Sequence, residues 1–499
     1  MNQASYEPGS EERKLLKAAP MEMKSIVTEI PSIINGERIR IGHKSPKRQP
    51  LGSIWRPFGR VRSSGSGEGY PRCPRGDEKL GQHVIQRCAV YNKAEKLVES
   101  PKYRWTLMAA SMIDQRKTCG QVEGDYIAEV IDILNFHVYS CQCDSSSSRL
   151  DYRPREGFVL AISPFNFTAL GAHIAFMPAL LGNVILWKSS PMTVLSNYLL
   201  YQIMKEAGIP TGIIQFLPIE YPTRVVEPAV ASPHFAGLHY TGFLAVLRAL
   251  CTQIGTNTNT YENFPRIVAE SGGKNFHLMH DSCKDDVEWL ASEAVCSAYK
   301  FQGQKCSALP RDLKRALVRE ASKMTYSDDA KQLHHTFSPM ILEAAFQRFE
   351  YMGFFVQPTV FELKQTAKGL ESDLMTKELF GPLSTVQIYD DASPTGFENV
   401  CDLIDSTSEY ALAGSVFARH RMAVKIAHKK LQDSVEMFCI NDKSTGTIIG
   451  AQPFGGARSS GTNDKANSMN VLRFSSIRCV KDAYVSGSSS TLSAYHVPE

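Results

Sequence analysis

Short, continuous apolar runs mark the predicted strands of this chain. Residues 158–162 and 184–187 flank a loop and a helix-like segment, the pattern of two buried parallel strands joined by a crossover. Residues 213–217 and 237–242 continue the series, and the second of these runs leads into a glycine turn and an apolar helix. The pattern predicts an α/β protein.

Apolar residues at helical spacing predict a set of packed helices ahead of those strands. They recur through residues 84–136, where Glu129 and Asp132 share a polar face. A short helix is predicted over residues 11–19 and should stop at Pro20, and Asn35-Gly36 is a turn signal.

The most apolar stretch, residues 158–187, has the length of a membrane-spanning helix, for which roughly 20 apolar residues suffice. Pro164, Asn166 and Pro178 interrupt it, and its pattern fits strand, crossover and strand better. No membrane span is predicted.

Composition narrows the class of protein. The chain has 499 residues, 43% of them hydrophobic, and a net charge of +4, which fits a soluble protein of two or three domains. Its basic residues are too dispersed for a nucleic-acid partner. The 12 cysteines form no CxxC pair and no zinc-like spacing, so we predict neither a disulfide framework nor a metal site, and a reducing compartment fits best.

Polar segments divide the chain. Residues 44–79 are rich in Arg, Gly, Ser and Pro and are predicted to form a mobile loop or a solvated linker. Residues 141–155 are predicted to form an exposed hairpin or connection. The acidic N-terminal segment fits neither a secretory signal nor a transit peptide.

Candidate chemistry centres on Cys306, which lies among small and polar residues after a helix-like run over 289–299. A thiolate is the nucleophilic form of cysteine, so an activating group is expected nearby. Glu270, beside the diglycine Gly272-Gly273, is the candidate base. Taken alone, the two residues fit a small buried cysteine and a solvated carboxylate better than a catalytic pair.

Two polar residues follow predicted strands. Asn166 lies in the loop after the first strand, and Lys188 ends the second. Because open parallel sheets bind ligands beyond the carboxyl ends of their strands, both are candidate ligand contacts. A lysine that ends a buried strand needs an anion or a hydroxyl as its partner.

The motifs, in order along the chain, make the family recognisable. The chain resembles the aldehyde dehydrogenase superfamily, and within it the delta-1-pyrroline-5-carboxylate branch, over roughly residues 120–481. The resemblance is carried by SPFNF (163–167), WK (187–188), YTG (240–242), ESGGKN (270–275), GQKC (303–306), ELFGP (378–382) and PFGG (453–456).

The resemblance implies a role for each site residue. Cys306 attacks the aldehyde, Asn166 and the Cys306 backbone N–H hold the oxyanion, and Glu270 activates the water that hydrolyses the thioester. The implied cofactor is NAD, although the sequence does not distinguish it from NADP. The implied cofactor residues are Ser163, Lys188, Gly242, Glu378 and Phe380, and those for the substrate are Ser307, Gly446, Thr447 and Phe454.

The resemblance also implies an architecture and a function. The fold would be a Rossmann-type cofactor domain (1–140 and 156–269), an α/β catalytic domain (270–455) and a small oligomerisation flap with a tail (141–155 and 471–499). The implied reaction is oxidation of glutamate semialdehyde, a small-molecule aldehyde, to glutamate in proline catabolism. A homodimer in the mitochondrial matrix is implied, and a cytoplasmic location stays open.

Departures from the family pattern keep other functions open. Phe243 stands where the family has a small hydroxyl residue, so we expect a crowded cleft and a lost pyrophosphate contact. Residues 309–355 are shorter than the family pattern. The alternatives are a divergent relative of low or no activity with a structural or regulatory role, and an enzyme for another semialdehyde.

Overall fold

The computed structural model describes residues 6–25, 28–39, 47–48, 54–55, 84–141, 149–219, 223–307, 314–325, 356–363, 372–390, 393–465 and 469–480. Most of the predicted loop at 44–79 and much of the short stretch at 309–355 lie outside these residues. No helix in the described ranges is both long and apolar enough to span a membrane.

The described helices and strands alternate through much of the chain. The α-helices are α1 Glu11–Ser25, α2 Val84–Glu99, α3 Pro101–Gln115, α4 Cys119–Val122, α5 Glu129–Ser140, α6 Thr168–Leu180, α7 Val194–Ala207, α8 Thr223–Ala231, α9 Leu244–Thr256, α10 Val287–Tyr299, α11 Lys314–Ser322, α12 Asp373–Thr376, α13 Gly396–Thr407 and α14 Arg421–Lys430. The strands are β1 Ser32–Ile34, β2 Glu37–Ile39, β3 Lys47–Arg48, β4 Ile54–Trp55, β5 Arg149–Pro154, β6 Phe158–Ile162, β7 Val184–Lys188, β8 Ile214–Leu217, β9 Phe235–Thr241, β10 Arg266–Glu270, β11 Phe276–Met279, β12 Thr359–Glu362, β13 Leu383–Val386, β14 Tyr410–Ala411, β15 Ala413–Phe417, β16 Met437–Ile440, β17 Ala457–Arg458 and β18 Ser475–Val480.

A seven-stranded sheet carries the first half of the fold, in the order β10-β9-β6-β7-β8-β1-β2. Strands β6 to β10 pair in parallel, whereas β1 and β2 form an antiparallel hairpin at one edge. The predicted turn lies in that hairpin, with Asn35 at φ 50° and Gly36 at φ 80°. The parallel strands are confirmed close to their predicted bounds.

A smaller parallel sheet, β11-β15-β16, and a parallel pair, β12-β13, follow along the chain. Strands β5 and β18 pair antiparallel, so the predicted connection at 141–155 contains a strand. Residues 142–148 of that connection lie outside the described residues.

One helix prediction was wrong. Helix α1 does not stop at Pro20 but continues through it to Ser25. Leu16 and Pro20 are both buried, and α1 packs against α3. Burial of this apolar face outweighs the hydrogen bond that proline, which lacks a backbone N–H, cannot donate.

Trp187 links the core of the large sheet to the ligand-binding edge. Its side chain is fully buried, with ring centroids 5.5 Å from Phe176 and 5.2 Å from Phe216. Its Nε1–H donates to the Ser163 hydroxyl at 3.1 Å. The indole therefore fills the core and also fixes the loop that follows β6.

We expect Trp187→Ala to lower the free energy of unfolding by about 3–5 kcal/mol, because it removes a fully buried ring. Trp187→Phe should cost less, since it keeps most of the apolar volume and loses the bond to Ser163. Urea denaturation of both variants measures the difference. Equal costs for the two variants would contradict this account of the core.

Candidate active site

The cysteine loop follows α10 through a tight reversal of the backbone. Phe301 and Gln302 adopt left-handed conformations at φ 59° and 57°, and Gly303 follows at φ 67°. A Cβ atom on Gly303 would lie 2.1 Å from the carbonyl oxygen of Gly381, so only glycine fits there. The reversal leaves Cys306 half-buried in the wall of a cavity of about 770 Å³.

Asn166 lies in the wall of the same cavity, in the loop after β6. Its Nδ2 donates to the backbone carbonyl oxygen of Gln304 at 2.9 Å, and the Tyr126 hydroxyl donates to the backbone carbonyl oxygen of Asn166 at 2.5 Å. An amide NH₂ group has two protons. One of them holds the Asn166 side chain against the cysteine loop, two residues before Cys306.

Glu270 ends β10 beside these residues, but it is not among the residues that line the cavity. Its carboxylate accepts a hydrogen bond from the backbone N–H of Gly456 at 2.9 Å. A Cβ on Gly455 would lie 2.8 Å from Glu270 Oε1, so the glycine pair makes room for this carboxylate. Ser271 and Gly272 line the cavity instead.

Desolvation holds the reactive groups close to their neutral forms. Burial, followed by the nearby Glu378 carboxylate, raises the pKa of the Cys306 thiol to about 12, although Lys305 opposes the rise. Burial also raises the pKa of Glu270 to about 8, against the opposing effects of the Gly456 N–H and Lys465. The thiol and the candidate base are thus largely protonated at pH 7.

The predicted cofactor residues all lie in the wall of that single cavity: Ser163, Lys188, Gly242, Glu378 and Phe380. Burial lowers the pKa of Lys188 to about 8. Burial raises the pKa of Glu378 to about 7, and Glu378 Oε1 accepts a hydrogen bond from the Gly273 N–H at 3.1 Å. A buried lysine and a half-buried carboxylate in the wall of one cleft are suited to a ligand rich in hydroxyls, such as a dinucleotide.

Phe243 lies in this cleft as expected from the sequence. Its side chain is 43% exposed and its ring contacts those of Phe165 and Phe380. The loss of a pyrophosphate contact at this position stays a prediction.

The predicted substrate loop approaches the cysteine loop through Ser444. The Ser444 hydroxyl donates to the carbonyl oxygen of Ser307 at 3.4 Å, and His277 Nε2 lies 3.2 Å from the same hydroxyl. Gly446 follows in a left-handed conformation at φ 90°. Ser307 is buried, while Gly446, Thr447 and Phe454 are at least partly exposed; none of the four is in the wall of the large cavity.

A cluster of charges beside the cysteine was not predicted from the sequence. Asp125 Oδ2 lies 2.7 Å from Lys300 Nζ, and its other oxygen lies 3.7 Å from Lys305 Nζ. Asp125 belongs to a π-helical turn, Glu123–Ala128, which shifts the helical register ahead of α5. Such a turn leaves no mark in apolar spacing, and only the lysine next to Cys306 hinted at a partner.

Comparisons with known proteins identify the fold and the family. The model of the aldehyde dehydrogenase family matches residues 81–352 and 341–480. A delta-1-pyrroline-5-carboxylate dehydrogenase of Agaricus bisporus is 37% identical over 546 residues, covering 99% of this chain and 96% of the relative. The mitochondrial delta-1-pyrroline-5-carboxylate dehydrogenase of Homo sapiens is 36% identical over 442 residues, covering 80% of this chain and 77% of the relative.

A solved structure has the same fold over the full length. The crystal structure of the delta-pyrroline-5-carboxylate dehydrogenase from Mycobacterium tuberculosis bound with NAD superposes with a TM-score of 0.87 at 32% identity, covering 100% of this chain and 98% of the other. The family resemblance read from the motifs is therefore confirmed. The chain belongs to the aldehyde dehydrogenase family.

Proposed function

We propose that the chain oxidises glutamate semialdehyde to glutamate with NAD as the hydride acceptor. The observation that carries this proposal is that Cys306, Asn166, Glu378 and Lys188 all lie in the wall of the same cavity. The relatives from Agaricus bisporus and Homo sapiens are named for the pyrroline-carboxylate reaction, which supports the same substrate.

The chemistry starts at the thiol. The Cys306 thiol loses its proton to solvent water, and the resulting thiolate attacks the aldehyde carbon. The second proton of the Asn166 amide, with the backbone N–H of Cys306, stabilises the oxyanion. Removing one such donor costs about 3–4 kcal/mol of transition-state stabilisation. NAD, held by Lys188 and Glu378 in the cleft, would supply the hydride acceptor, and loss of the hydride from the adduct would leave a thioester on Cys306.

Hydrolysis of the thioester needs a base, and Glu270 is the carboxylate next to the site. Its pKa near 8 is suited to accepting a proton from water at neutral to mildly basic pH. We propose that Glu270 acts on hydrolysis and not on the first attack, because its carboxylate is bound to the Gly456 N–H and does not line the cavity before the substrate reacts.

The substrate's α-carboxylate is proposed to bind at the loop of Gly446 and Thr447, with Ser307 as a further donor. A hydroxyl and backbone N–H groups suit a carboxylate. The bond between the Ser444 hydroxyl and the Ser307 carbonyl supports this assignment, because it holds the two segments together. Phe454, which is half-buried, would pack on the aliphatic part of the substrate.

We also propose a division into domains and a mode of assembly. The seven-stranded sheet would carry the cofactor, and the sheet of β11, β15 and β16 would carry the catalytic half. The antiparallel pair of β5 and β18 would form a flap between two copies of the chain. The named mitochondrial relatives support the mitochondrial matrix as the compartment.

The first test separates attack from hydrolysis. In Glu270→Gln we expect a burst of NADH from glutamate semialdehyde close to one equivalent per site, followed by loss of at least about 100-fold in steady turnover, because the thioester accumulates. Stopped-flow absorbance of NADH measures both phases. Cys306→Ala is the control and should give neither phase.

If the wild-type enzyme forms no more NADH than Cys306→Ala, only the alternative of an inactive relative with a structural or regulatory role remains. Loss of the burst in Glu270→Gln would instead assign Glu270 to the activation of the thiol.

The second test follows the pKa of Glu270. Because the carboxylate form is the base, steady turnover should rise about tenfold between pH 7 and pH 9, with a midpoint near 8. The burst rate of Glu270→Gln should lack this midpoint, since the Cys306 thiol ionises at a higher pH. A midpoint near 8 in both measurements would assign the ionisation to another group.

The third test concerns the substrate. Thr447→Val keeps the size of the side chain and removes its hydroxyl, so KM for glutamate semialdehyde should rise about tenfold through loss of a hydrogen bond to a charged group. Butanal, which has no carboxylate, is the control substrate and its kcat/KM should stay unchanged. Equal losses for both aldehydes would argue for another semialdehyde or another carboxylate site.

A further inference from the structure

Three phenylalanine rings from separate loops meet in the cofactor cleft. Phe165 comes from the loop after β6, Phe243 precedes the first residue of α9, and Phe380 lies in the loop before β13. Their ring centroids are 6.1 Å apart for Phe165 and Phe243, 6.0 Å for Phe243 and Phe380, and 5.6 Å for Phe165 and Phe380. Phe165 and Phe243 are tilted to each other, and both pack edge-on against Phe380; these distances and geometries are those of attractive aromatic contacts.

The three rings come from two walls of the cleft. Phe165 directly precedes Asn166, and Phe380 is two residues after Glu378, so these two rings belong to the catalytic end. Phe243 reaches them from α9, whose later residues Val246 and Gln253 also line the cleft. The three rings therefore lie where the wall formed by α9 meets the wall formed by the catalytic loops.

Phe243 is the most exposed of the three rings. Its side chain is 43% exposed, against 9% for Phe165. Its backbone is held, because its carbonyl oxygen accepts a hydrogen bond from the Tyr240 hydroxyl at 2.9 Å and also accepts the first bonds within α9. The ring can thus turn towards solvent about its own side-chain torsions while the loop stays in place.

Phe243 also occupies the N-cap of α9 without capping it. Its side chain makes no hydrogen bond to the first turn, whereas serine at an N-cap satisfies a backbone N–H there. The phenylalanine therefore contributes its ring contacts and no polar contact at this point of the cleft.

We propose that Phe243 is an aromatic gate that sets the access of a dinucleotide to the catalytic end of the cleft. With its ring against Phe165 and Phe380, the adenosine end beside Lys188 stays open and the path to Cys306 is narrowed. A dinucleotide must displace the ring, and a ligand that fills only the adenosine end need not. The inference rests on the proposed use of NAD.

The test compares two ligands on the full chain by isothermal titration calorimetry. Phe243→Ala should lower the Kd for NAD about tenfold, because the dinucleotide no longer has to break two ring contacts. The Kd for AMP should stay within about twofold, since AMP fills the adenosine end alone. Stopped-flow fluorescence of NADH should give a faster association rate in the variant.

Phe264→Ala is the matched control. It removes another phenylalanine ring, which is 79% exposed and is not in the wall of the cleft, so both affinities should stay unchanged. Phe243→Ser is the second variant, because serine suits the N-cap and protects against loss of folding. It should tighten NAD binding at least as much as alanine does.

Weaker or unchanged NAD binding in both Phe243 variants would overturn the gate, since the ring would then support the cofactor or lie outside its path. Equal tightening of AMP and NAD would also overturn it, because the effect would then lie at the adenosine end. If AMP binds and NAD does not bind to any variant, the gate is rejected while the adenosine site stands. If neither ligand binds, the proposed cofactor fails and the gate fails with it.

Discussion

Desolvation of ionisable side chains around one cavity is the constraint on which the rest of the site depends. It raises the pKa of Cys306 to about 12 and that of Glu378 to about 7, and it lowers the pKa of Lys188 to about 8. Each unit of pKa shift corresponds to about 1.4 kcal/mol against the charged form. The fold thus disfavours the charged form of each group: at pH 7 the Cys306 thiol is largely protonated and Glu378 is about half protonated, whereas Lys188 stays largely charged. A ligand that offers Lys188 and Glu378 opposite charge or hydrogen bonds therefore stabilises their charged forms.

The large sheet determines where these ionisable side chains lie. Ile162 on β6 is paired with Lys188 on β7 and with Tyr240 on β9, and Glu270 on β10 is paired with Thr241. Because these strands are parallel and in register, the residues that follow them emerge at one edge. Polar side chains that are far apart in sequence are therefore gathered at that edge.

This geometry explains which features the sequence could predict. Buried parallel strands are continuous apolar runs, and the residues after them must lie at one edge, so the sequence could bring Asn166, Lys188 and Gly242 to one cavity, whose wall contains all three. The continuation of α1 through Pro20 could not be predicted, because the burial of Leu16 outweighs the helix-breaking effect of proline. The orientation of Glu270 was also beyond reach, since it depends on Gly456, which is 186 residues further along the chain.

The left-handed residues before Cys306 link the cysteine loop to Asn166, the proposed oxyanion donor. Non-glycine residues in this region cost about 1–3 kcal/mol each, so the turn at Phe301 and Gln302 persists only if its surroundings hold it. The buried Phe301 ring lies 5.8 Å from Tyr126 and 5.7 Å from Phe167, with Lys117 Nζ 4.1 Å from its centroid. These contacts offset the strain, and the same Tyr126 donates its hydroxyl proton to the Asn166 carbonyl. One aromatic cluster behind the cavity thus fixes both the turn that presents the thiol and the amide that faces it.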